Sequence, residues 1–156
     1  MKRYIFIICI FLVPFIAYAS ETTYFVTLRA NEVNARTGPA KRYPIDWVYT
    51  KKHYPLEVID KFEHWRKIRD NDDNISWIHK SLLTRRRFVM ITKQEALFYT
   101  DPTPFSIPLF KAEKKTIGSV IKCKPAWCMI KVSEDLEGWV SKDEIWGVYP
   151  EEIIKK

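Results

Sequence analysis

The feature that most restricts how this chain folds is that it carries nearly the same pattern twice, 62 residues apart. Trp65-Arg66-Lys67-Ile68 leads to Ser76-Trp77-Ile78-His79-Lys80, and Trp127-Cys128-Met129-Ile130 leads to Gly138-Trp139-Val140-Ser141-Lys142. In each copy the two tryptophans stand 12 residues apart, an Ile holds the fourth position of the first segment, and a β-branched residue follows the second Trp. Rare residues recurring at one spacing mark two copies of one supersecondary unit. Each unit has about 60 residues, a size at which a domain buries only about 60% of the surface its unfolded chain exposes. The copies are therefore expected to lean on one another or on the segment that joins them. Two such small repeated units are better suited to binding a ligand than to transforming one.

Strand signals dominate both units. Tyr24 to Leu28, Pro55 to Ile59, Trp65 to Arg69 and Ile75 to His79 are rich in β-branched and aromatic residues between polar turns. Asn71-Asp72-Asp73-Asn74 is a turn by composition, because Asx side chains bond their own backbone and tolerate left-handed geometry. A second set follows at Phe88 to Ile91, Ala96 to Tyr99, Gly118 to Ile121, Trp127 to Val132 and Gly138 to Val140. Short strands at this spacing predict small antiparallel barrels or sandwiches. Helix is expected only as a turn near Lys80 to Leu83 and its counterpart near Lys142 to Ile145.

The N-terminus reads as an export signal. Met1-Lys2-Arg3 is basic, Tyr4 to Ile16 is apolar, and Ala17-Tyr18-Ala19 is an Ala-x-Ala cleavage pattern before Ser20. The apolar run is shorter than the roughly 20 residues of a spanning helix, and Pro14 interrupts it. Cleavage after Ala19 would lower the formal charge from +7 to +5 and leave no stable membrane span. The alternative is retention as an anchor. The expected location is the periplasm, where nucleic acid is not a partner. Arg85-Arg86-Arg87 is the one dense basic run, read as a solvated linker or as a contact for an anionic glycan or lipid.

Removing Cys9 with the signal leaves Cys123 and Cys128. They flank the four-residue turn Lys124-Pro125-Ala126-Trp127, which can set its two ends opposite one another across a hairpin. In an oxidising compartment this predicts a structural disulfide; the spacing is not the Cys-x-x-Cys of a redox catalyst. No metal site is expected, since His53, His64 and His79 lack a ligand spacing and the second copy has no His. A cysteine hydrolase would need a thiolate beside a His. Glu134-Asp135 and Glu151-Glu152 read as solvated carboxylates, and the four glycines form no phosphate-cradling loop. The chain is accordingly read as non-catalytic, with no cofactor.

Val33-Asn34-Ala35-Arg36-Thr37-Gly38-Pro39, then Tyr43-Pro44, Trp65-Arg66-Lys67-Ile68 and Trp77-Ile78, together resemble the bacterial SH3-like (SH3b) domain family. The final Ile145-Trp146-Gly147-Val148-Tyr149-Pro150 resembles the end of a two-copy exported subfamily common in alphaproteobacteria. The resemblance implies an all-β chain of two tandem SH3-like barrels: signal peptide 1–19, module 1 at 20–84, a basic linker and connecting strand at 85–92, module 2 at 93–150, and a tail at 151–156. It also implies attachment to peptidoglycan or to peptides, the alternative being a protein-interaction scaffold of the envelope without a glycan ligand.

The expected ligand groove lies on module 1 and comprises Asn34, Arg36, Tyr43, Trp47, Tyr49 and Trp65. Arg36 can clamp a carboxylate bidentately or bond local carbonyls. Asn34 also reads as a turn former. Trp47 and Tyr49 share a face if their segment is extended. Trp65 and Ile68, three apart on a strand, point to opposite faces unless a bulge resets the phase, so Trp65 is either an open-face ring or a cover for the core. At the 62-residue offset, Leu97 and Phe98 stand where Ala35 and Arg36 do, so the Arg is absent from the second copy.

Overall fold

The computed structural model describes residues 23–155. The export-signal expectation at 1–19 lies outside the described residues, as does Lys156. The chain is all-β, with two seven-stranded antiparallel sheets and two single 3-10 turns. The first sheet contains β1 (Tyr24–Leu28), β2 (Val33–Arg36), β3 (Ile45–Tyr49), β4 (Pro55–Phe62), β5 (Trp65–Arg69), β6 (Ile75–His79) and β7 (Leu83–Thr84), in the order β3-β2-β6-β5-β4-β1-β7. The second contains β8 (Phe88–Ile91), β9 (Glu95–Tyr99), β10 (Pro108–Glu113), β11 (Ile117–Cys123), β12 (Trp127–Lys131), β13 (Glu137–Ser141) and β14 (Ile145–Trp146), in the order β10-β9-β13-β12-β11-β8-β14. The order is the same in both, so the repeat in sequence is a repeat in topology.

Both expected helical turns are present, at Lys80–Leu82 and Lys142–Glu144, each following the same strand of its module. Five strands, β2, β3, β7, β10 and β14, were not read as strands in the sequence. Two of them, β7 and β14, are two residues long and β3 is exposed along most of its length, so neither length nor alternation marks those three. Asn34, expected as a turn former, lies within β2.

One alignment needs correction. Val33 and Ala35 are buried on β2, and Ala96 and Phe98 are buried on β9; Arg36 pairs with Trp77, and Tyr99 with Trp139. These strands correspond at an offset of 63, so Tyr99, not Phe98, stands at the place of Arg36. The turn between β10 and β11 is shorter than that between β3 and β4, which restores the 62-residue offset from β4 onward. The Arg is still absent from the second copy.

Each sheet encloses its own core. The first is built from Val26, Leu28, Val33, Ala35, Leu56, Val58, Ile68 and Ile78, the second from Val89, Ile91, Phe98, Ile130, Val140 and their neighbours. The expectation that the modules lean on one another is met by β14 and the segment after it. Trp146 Nε1 donates to Pro55 O at 3.2 Å, Tyr149 Oη donates to Glu57 Oε1 at 2.9 Å, and Phe25 lies between the Trp146 and Tyr149 rings at 5.1 and 4.8 Å. His53 stacks on Phe88 at 4.0 Å. Gly147 makes this turn possible: its φ is +123°, and a Cβ there would stand 2.6 Å from Phe88 O.

Cys123 and Cys128 are bridged. They are direct cross-strand partners on β11 and β12 with Cα atoms 4.1 Å apart, and Lys124 N–H bonds Trp127 O at 2.8 Å to close the turn between them.

Candidate functional site

The cleft that β3 helps to line is positioned by the loop that feeds this strand. Arg36 Nη1 donates to Tyr43 O at 2.7 Å, and Thr37 N–H donates to Pro44 O at 3.1 Å. The Tyr43 ring rests on Gly38, where an added Cβ would come within 2.6 Å of it, so only glycine fits. Arg36 and Tyr43 thus clasp the loop and set the course of β3. Of the two readings of Arg36, the bond to a local carbonyl is the one observed.

On β3, Trp47 pairs with Ala35 and Tyr49 with Val33, so the two rings share a face, as expected of an extended segment. Their centroids are 6.5 Å apart, and Tyr49 meets Tyr54 at 5.3 Å. Trp47 is 55% exposed, whereas Tyr49 is buried. Tyr49 Oη donates to Asp70 Oδ2 at 3.2 Å. Asp70, itself buried, accepts from the Asp72 and Asn74 amides at 2.9 Å each and from Asn74 Nδ2. This Asx geometry builds the turn that composition identified. Burial, and then the charge of Asp70, push the Tyr49 phenol far above its ordinary value. Burial and the charges of Asp70 and Asp72 push Tyr54 up to about 12. Both phenols therefore stay protonated at neutral pH, and the Tyr49 proton is committed to Asp70.

Trp47, Tyr49, Tyr54 and Asp70 form one wall of a cleft of about 410 Å³ whose other side carries Lys114 and Lys115 of module 2. Lys51 Nζ donates to Lys115 O at 2.8 Å and ties the two sides together. The cleft thus offers an exposed indole, carboxylates on one side and ammonium groups on the other. That arrangement suits a ligand bearing both amines and carboxylates, held partly by ring contact.

The six expected groove residues do not form one continuous surface. Trp47 and Tyr49 meet in the cleft, and Arg36 and Tyr43 hold the loop before it. Asn34 is exposed on β2 opposite Val48. Trp65 is 9% exposed and lies edge-on to His79 at 5.5 Å, outside the Ile68 core cluster. It thus faces away from Ile68, as parity requires, and is nevertheless covered. The bulge anticipated next to it lies on β4, between Val58 and Asp60, and recurs between Val120 and Lys122 on β11. Tyr54, Asp70, Lys114 and Lys115 were missed. Asp70 directly precedes the Asx turn and could have been assigned as its organiser; the lysines meet the cleft only through the packing of the modules.

Among the described residues, no three His, Cys, Asp or Glu side chains converge as metal ligands, and no helix is long and apolar enough to cross a membrane. Both described cysteines are held in the disulfide.

Two repeated all-β modules with matching strand order define a tandem small-domain protein. The chain belongs to the bacterial SH3 domain family, whose sequence model matches residues 29–84 and again residues 92–147. No curated protein sequence matches the chain significantly. Among solved structures it is similar to NlpC2 from Trichomonas vaginalis, at 14% identity and a TM-score of 0.38, covering 81% of this chain and 48% of that one. It is also similar to an NlpC/P60 family protein from Bacillus cereus ATCC 10987, at 13% identity and a TM-score of 0.35, covering 78% of this chain and 55% of that one. The chain thus spans about half the length of the structures it matches.

Proposed function

We propose that this chain is a non-catalytic, exported binding protein of the cell envelope, of the periplasm in particular, and that module 1 holds peptidoglycan or its peptides. The observation that carries this reading is Trp47, 55% exposed at the mouth of a 410 Å³ cleft and backed by Tyr49 and Tyr54. A large ring left in solvent beside aromatic neighbours and charges of both signs is a binding feature rather than a packing one. Peptidoglycan stem peptides carry both carboxylates and amines, which match the Lys114–Lys115 side and the exposed Asp72 carboxylate that Asp70 positions. Within this reading Arg36 and Tyr43 keep the loop in place, while Asn34 and Trp65 stand outside the lining of the cleft. The Cys123–Cys128 bridge and the signal-like N-terminus support export.

Co-sedimentation with purified, protein-free sacculi tests the reading. Wild type should pellet saturably, and Trp47→Ala should reduce its affinity at least about tenfold without altering stability, since an exposed ring contributes little to the core. Equal pelleting of wild type and variant, or none by either, contradicts the proposal.

A second reading, a scaffold that docks a protein partner, is favoured by the loop of module 2 between β9 and β10. Phe105 is 95% exposed there, and Ile107 and Leu109 are exposed with it. The scaffold reading predicts no retention of wild type by protein-free sacculi.

A further inference from the structure

Module 1 has a second concavity, about 210 Å³, where Arg29, Arg66, Lys80 and Arg85 converge around Tyr24. No carboxylate lines it, and among the described residues none of the four cations has an ion-pair partner. Arg29 Nε donates to Leu83 O at 2.7 Å, Arg66 donates to the Glu63 and Trp65 carbonyls, and the Arg85 guanidinium lies 4.6 Å over the Tyr24 ring. The Lys80 ammonium makes no side-chain hydrogen bond among the described residues. Four like charges held together without a counter-charge repel one another, and an anion at their centre relieves that cost. The field is felt nearby: burial lowers the His79 pKa first, and the charges of His64, Lys41, Lys80 and Arg66 lower it further.

The internal repeat shows what this place in the fold accepts. Lys80 corresponds to Lys142, and both backbone amides bond the equivalent turn carbonyl, His64 O and Ala126 O. In module 2 the corresponding place is filled by the chain's own tail. Lys142 Nζ donates to Pro150 O at 2.8 Å and to Glu152 O at 2.6 Å. Arg87, at the place of Tyr24, bonds the Glu152 carboxylate, with Nη2 to Oε2 at 2.9 Å. The tail's Ile154 bridges antiparallel to Cys123 at the end of β11. At the matching Lys61 of module 1 the amide donates to Asp60 Oδ1 at 2.7 Å.

We propose that the module 1 pocket binds an extended acidic peptide, its carboxylates on Lys80, Arg66 and Arg85, in the place where module 2 holds residues 149–154 of the chain itself. The ligand is peptide because the intramolecular occupant of the equivalent place is peptide, and acidic because the pocket has four cations against the two, Lys142 and Arg87, that the tail engages. This is a separate surface from the Trp47 cleft and stands independently of the sacculus reading.

The test uses the full chain and the hexapeptide acetyl-Tyr-Pro-Glu-Glu-Ile-Ile-amide, which copies residues 149–154. Titration followed on the arginine Nε–H signals should give saturable shifts at Arg29, Arg66 and Arg85. Replacing both peptide glutamates by glutamine should weaken binding at least about tenfold, as should Lys80→Ala combined with Arg85→Ala, because each removes charge-assisted bonds. Among the described residues neither replaced side chain makes a hydrogen bond or ion pair, Arg85 touching only the Tyr24 ring, and Arg85→Ala alone serves if the double variant fails to fold. No saturable shift up to low millimolar peptide, equal binding of the glutamine peptide, or wild-type affinity in a folded variant would each overturn the proposal.

Discussion

Glu57 shows how much of this molecule rests on single polar side chains. It is buried on β4, where it accepts from Arg69 Nε at 2.9 Å and Nη2 at 2.6 Å through Oε2, and from Tyr149 Oη at 2.9 Å through Oε1. One carboxylate therefore ties β5 to β4 within module 1 and the tail of module 2 to both. A buried charge is tolerated only when its lone pairs are used, and here they are used from three donors. Glu57→Ala should cost about 2–3 kcal/mol in urea unfolding, because it leaves the half-buried Arg69 without its carboxylate and Tyr149 with Thr23 Oγ1 alone. A loss below about 0.5 kcal/mol would mean that water replaces those bonds. At this scale the sequence was legible for Trp47 and Tyr49, whose spacing alone places them on one face. It was not legible for Glu57, since its partners are 12 and 92 residues away and nothing local distinguishes it from a solvated glutamate.

The β11–β12 hairpin carries the prediction that belongs to single elements. Its register sets Cys123 against Cys128, and the bridge closes a very short loop at the end of a strand pair that the tail also reaches. Cys123→Ser with Cys128→Ser should lower stability by about 2 kcal/mol in the chain-entropy account. Thiol counting on protein purified from the envelope should find no free thiol before reduction. Two free thiols would show that the hairpin closes without the bridge. The pair was legible because turn length and residue type fix the geometry across a hairpin. The edge strands were not: β3 exposes four of its five residues and β7 and β14 are held only by their neighbours, so alternation cannot mark them. The one-residue difference between copies was hidden for a similar reason, since it lies in a turn where no apolar pattern counts residues.

At the scale of the whole molecule, two marginal units are joined into one body by the segment from Trp146 to Glu152. Burial raises the Glu152 carboxyl pKa, but the bond from Arg87, the Tyr149 amide and the charges of Arg87 and Lys142 outweigh it and hold it below the ordinary value of 4.5. A folded pKa below the unfolded one stabilises the protein above the unfolded value, and that gain is lost as pH falls through the lowered folded value. The thermal midpoint should therefore drop on acidification below pH 4.5, and Glu152→Gln should flatten that part of the profile. An unchanged profile in the variant would show that other carboxylates govern it. The repeat made the two-module architecture legible in advance, whereas the cleft, with Lys114 and Lys115 brought against Trp47, exists only because the modules pack. That the cleft, and hence module 1 with one edge of module 2, is the ligand face is the central claim. Amide shift mapping of the full chain with a soluble peptidoglycan fragment tests it most directly. Saturable shifts should cluster at Trp47, Tyr49, Tyr54, Asp70, Lys114 and Lys115; shifts confined to module 2 away from Lys114–Lys115, or none at saturating fragment, would contradict it.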